Sequence, residues 1–65
     1  MKYTLDEKIA CLSREVQMRR RVYARQVNDG RMDAATAERE TGIMGEVLAE
    51  YQAQRDALQP SLFDA

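Results

Sequence analysis

Residues able to do chemistry are few in this chain, and they fall in separate places. Cys11 is the one thiol, Arg19-Arg20-Arg21 with Arg14 and Arg25 concentrates positive charge, and Gln59-Pro60-Ser61-Leu62-Phe63 holds the one phenylalanine. There is no histidine, which removes the usual general base and the usual metal ligand. A lone cysteine cannot close an intrachain disulfide, and within a helical turn Cys11 has only Lys8 and Arg14 as basic neighbours. It reads as a small packed hydrophobe rather than a reactive thiol. No catalytic residue, metal ligand or cofactor is expected, and a short helical chain offers no enclosed pocket for an enzyme.

The elements that carry these residues are readable from their punctuation. Thr4 followed by Glu7 three residues later is a capping box, and neither Gly nor Pro occurs from Leu5 until Gly30. Leu5, Ile9, Leu12, Val16, Tyr23 and Val27 fall within roughly a 60° wedge at 100° per residue, a narrow seam along one helix. The first helix is therefore predicted over about 5–28. Asn28-Asp29-Gly30 is a stop signal, Asp33 is placed to cap a second helix, and Pro60 disfavours helix at Gln59. The second helix, about 34–58, carries Ala37, Met44, Val47, Leu48, Tyr51 and Leu58 on a broad face, with Ile43 at its margin.

Two helices of nearly equal length joined by a short turn predict an all-α fold, an antiparallel two-helix hairpin over residues 1–58 with an extended tail over 59–65. Residue i should lie beside a residue near 61 minus i. That register brings Arg20 towards Glu40 and Thr41 and predicts a cross-helix ion pair between Arg20 and Glu40, the alternative being that both side chains reach water independently.

The chain has 65 residues, 45% hydrophobic and 32% charged, with a net charge of −1. At 7.5 kDa a single core is marginal. Without disulfides or metal, oligomerisation remains as the compensation. Each helix carries a second stripe that one hairpin cannot cover. On the first helix it is Cys11, Met18 and Val22; on the second it is a row of small residues, Ala35, Gly42, Gly45 and Ala49. Two glycines inside a helix cost roughly 1 kcal/mol each against alanine, so close approach by another helix is the expected compensation. A homodimer is predicted, with Ala35, Gly42, Gly45 and Ala49 as its contact; the alternative is that small residues are tolerated on a solvent face.

Charge is unevenly divided. Residues 1–31 carry a net +4 and residues 32–65 a net −5. Opposite halves suit two segments lying against each other. Three consecutive arginines point in three directions on a helix, and the acidic half offsets their field, so nucleic-acid binding is disfavoured. Nor is this a DNA-reading helix-turn-helix, whose helices are shorter and cross at a large angle. No apolar run approaches the roughly 20 residues of a membrane span, and the start lacks the apolar stretch of a signal peptide, so a soluble cytoplasmic protein is expected.

Gln59-Pro60-Ser61-Leu62-Phe63 resembles the bacterial sliding-clamp-binding motif, Gln-Leu-Ser/Asp-Leu-Phe, found at flexible ends of DNA polymerases and repair proteins. Gln59, Ser61, Leu62 and Phe63 match, and Pro60 departs at the least selective position. The resemblance implies that Gln59 hydrogen-bonds at the rim of the clamp's pocket while Leu62 and Phe63 fill its hydrophobic cleft. Average residue usage produces such a match on the order of once in a thousand chains of this length. The competing reading has Leu62 and Phe63 folding back to cap the open end of the hairpin over Leu5 or Ile9.

The run from Asp6 to Met32 is similar to small uncharacterised proteins encoded by temperate phages and prophages. That resemblance implies a host protein as partner, because some small helical early phage proteins bind host proteins, among them a quorum-sensing anti-activator that binds a transcription regulator. It carries no catalytic signature. The expected function is thus non-enzymatic binding of the host sliding clamp, and the alternative is an inhibitor that uses Arg14, Met18, Arg21, Val22 and Arg25 on one face of the first helix against a host regulator.

Overall fold

The computed structural model describes residues 2–58, which form two α-helices, α1 over Leu5–Asn28 and α2 over Ala34–Leu58, packed against each other. No strand occurs among the described residues. The proposed tail, with Gln59, Ser61, Leu62 and Phe63, lies outside them.

Both ends of α1 are closed by local hydrogen bonds. Thr4 is extended (φ −74°, ψ 161°), and its Oγ1 accepts from the Glu7 N–H at 3.1 Å while the Thr4 N–H donates to Glu7 Oε1 at 3.0 Å. Each bond satisfies an amide that the first turn leaves without a helical partner. The Thr4 N–H bond to the carboxylate favours the ionised form of Glu7 and is the leading cause of its lowered pKa, with a hydrogen bond from the Thr4 side chain next. At the other end Gly30 takes φ +74°, its N–H donates to Val27 O at 3.1 Å, and the Arg31 N–H donates to Gln26 O at 2.8 Å. This is a Schellman closure, and it explains why the chain turns at a glycine there. Asp33 then caps α2, its Oδ2 accepting from the Thr36 N–H at 3.3 Å.

The seam between the helices is thin. Ile9 and Val16 of α1 and Ala37 of α2 are the buried hydrophobics, Val16 the deepest at 3% exposed. Leu5, Leu12, Tyr23 and Val27 are half-buried beside them, as are Met44, Val47, Leu48 and Tyr51. One expectation fails at the end of α2. Ile43, expected at the margin of the apolar face, is 44% exposed, but Leu58, assigned to that face, is 75% exposed. Leu58 closes the last turn of α2, one turn beyond Arg55, which reaches Asp6 in the first turn of α1 at 3.8 Å.

Two stability measurements follow. Val16→Ala is expected to cost about 2 kcal/mol in urea unfolding followed by circular dichroism, while Met18→Ala on the exposed side should stay within about 0.5 kcal/mol; equal effects would contradict the seam. A carboxylate whose pKa is depressed on folding adds stability that is complete above its unfolded value and is lost as pH falls through the folded one. Acidification below the ordinary value of 4.5 is therefore expected to lower the melting temperature more in the native sequence than in Glu7→Gln, which keeps both capping bonds without titrating.

Candidate functional site

The two flanks of the helix pair differ in chemistry. One flank is an open groove of about 620 Å³ in which Arg20, Tyr23 and Ala24 of α1 face Thr41, Gly42, Gly45, Glu46 and Ala49 of α2. A Cβ added at Gly42 or Gly45 would meet nothing within 4 Å. The close approach expected at these glycines is therefore not made by α1, and the room they create stays open to the outside. Of the small-residue row, Gly42, Gly45 and Ala49 line this groove; Ala35 is exposed and stands outside its lining.

The predicted Arg20–Glu40 ion pair is not formed. Glu38 lines the groove with Arg20, and Glu40 lies two residues further on, about 200° around the helix, which turns it to the opposite flank. There the field of Glu40 reaches Arg19 instead. Arg19 is tied within its own helix, its Nε donating to Glu15 Oε1 at 2.8 Å, and this bond is the leading cause of its raised pKa. Among the described residues Arg20, Glu38 and Glu46 make no ion pair, so the groove carries one positive wall and one negative wall without internal neutralisation.

On the other flank, Cys11 is exposed rather than packed, in a shallow depression with Tyr3, Glu7, Lys8 and Arg14. A second hollow joins Cys11 and Leu12 to Val47 and Tyr51 across the helices. Cys11 misses the seam because it sits about 100° or more around α1 from the wedge of Leu5, Ile9 and Val16. On α1, Arg14, Met18, Arg21 and Arg25 are all exposed and Val22 is half-buried, so the second face anticipated for a partner is present on the surface. No group of acidic and cysteine side chains that could hold a metal ion occurs among the described residues. No helix there is long and apolar enough to cross a membrane.

Exposure makes Cys11 a usable reporter. Native protein is expected to react with an aromatic disulfide reagent to one thiol per chain, at a rate unchanged by urea; a rate that rises steeply on unfolding would show the thiol to be covered.

No known protein family matches this sequence, no curated protein is significantly similar to it, and no solved structure significantly matches its fold.

Proposed function

We propose that this protein is a non-enzymatic, phage-type interaction protein that binds the bacterial DNA sliding clamp through Gln59, Ser61, Leu62 and Phe63. The observation that carries the reading is at the end of α2. Leu58, immediately before the motif in sequence, is 75% exposed, so the last turn of α2 adds nothing to the apolar seam. Pro60 cannot donate a backbone hydrogen bond, has a fixed φ and disfavours helix at Gln59, which lowers the ordering cost of an extended peptide entering a cleft. Gln59 supplies the polar contact that orients the peptide, and Leu62 and Phe63 supply the apolar area.

The helical body is the carrier in this reading. It is an antiparallel hairpin, supported by the Asp6–Arg55 pair, whose numbers add to the 61 of the proposed register, and by Arg20 and Thr41 lining one groove. It is homodimeric, with Gly42, Gly45 and Ala49 in the contact, supported by the open space over both glycines. Two copies bring two motifs, which adds avidity wherever two clamp pockets are within reach.

A second reading is favoured by one observation on α1. Met18 is 44% exposed with the exposed cations Arg14, Arg21 and Arg25 on the same helix, a basic and apolar face suited to an acidic or amphipathic surface of a host regulator. The two readings separate in one experiment. A binding isotherm against a purified bacterial sliding clamp is expected to saturate with the intact protein and to lose at least tenfold in affinity with Leu62→Ala and Phe63→Ala combined, because each removes a buried anchor worth more than 1 kcal/mol. Absence of saturable binding by the intact protein would discard the clamp as partner and leave the α1 face as the candidate.

A further inference from the structure

The groove between Arg20 and Glu46 combines three properties that point to one occupant. It is apolar along its floor, its walls carry opposite charges that form no ion pair among the described residues, and no described side chain approaches the glycines that widen it. We propose that the occupant is the same groove of a second copy, with a two-fold axis passing between Gly42 and Gly45, so that Arg20 pairs with Glu46 of the partner subunit twice over. This rests on the dimeric reading above and gives it a specific surface and register.

The geometry follows from the symmetry. A two-fold contact uses the same patch on both copies, so residue i of α2 lies opposite residue 87 minus i of the partner's helix when Gly42 faces Gly45 of the partner subunit. The level of Thr41 then lies opposite Glu46 of the partner subunit. Arg20 shares the groove with Thr41 at that level, and its long side chain reaches across the rim. Glycine at both central positions lets the two helical backbones approach without displacing a side chain.

A hydrophobic peptide of another protein would fill the floor equally well, but it would not be matched in advance to a basic wall and an acidic wall at two-fold positions.

Sedimentation equilibrium of the full chain, with circular dichroism on the same samples, tests this. The native protein is expected to sediment at twice 7.5 kDa. Arg20→Glu and Glu46→Arg, both at exposed positions, should each raise the dissociation constant roughly tenfold, and the two combined should return it to within about threefold of the native value. Restoration in the double variant is a result that simple misfolding of either single variant cannot produce. A native protein monomeric at all concentrations would overturn dimerisation itself. A dimer indifferent to both single changes would keep dimerisation and overturn this groove, and single losses without recovery in the double variant would overturn the Arg20–Glu46 pairing.

Discussion

Burial of Ile9 and Val16 of α1 and of Ala37 of α2 along one seam is the constraint on which the rest of the molecule depends, because two helices have a single line of closest approach and a side chain on that line is screened from water on few sides. Everything further from the line is at best half-buried, from Leu5 and Leu12 to Val47 and Tyr51. The chain meets this constraint by making each helix as self-sufficient as local chemistry allows. Thr4 and Glu7 close one end of α1, the Gly30 turn closes the other, Asp33 opens α2, and the Glu15–Arg19 pair adds a contact one turn apart. Local bonds of this kind do not need a partner helix, so they hold the segments in shape while the seam fixes their relation.

This division explains what could be read from the residues alone. Helix ends are set by interactions spanning three to five residues, and Thr4, Glu7, Gly30 and Asp33 each announce themselves by type and spacing. The inward stripe of α1 was equally legible, since Ile9 and Val16 lie at the centre of a tight wedge. The facing of α2 was harder. Its apolar residues spread around most of the helix, so the pattern left open which side meets α1, and Ile43 and Leu58 end up exposed. The Arg20–Glu40 expectation failed for a related reason. Register along an axis says which residues share a level, but each residue also turns by about 100°, and two positions at one level can lie on opposite flanks. Arg20 looks onto Glu38 and Glu46, while Glu40 acts on Arg19.

Function was less legible than fold because the candidate contacts draw on surfaces rather than on an interior. Side chains from the two helices converge only along their seam, and the seam is apolar. What the molecule presents instead is a groove on one flank, an exposed thiol with Tyr3 and Lys8 on the other, and a cationic face with Met18 on α1. The two glycines of α2 are informative here. They weaken the helix that carries them, and among the described residues nothing occupies the space above them.

The scarcity of buried side chains also sets how a separate chain responds to heat. The heat-capacity change on unfolding comes from apolar surface newly exposed to water, and a seam of three buried residues has little left to expose. The enthalpy of melting falls with it, and a small enthalpy spreads the transition over a wide interval. The curve of stability against temperature is accordingly shallow, with neither a sharp collapse on warming nor a pronounced loss on cooling. The last turn of α2, where Leu58 is 75% exposed, is therefore the part of the helix pair that loosens first on warming, ahead of the seam.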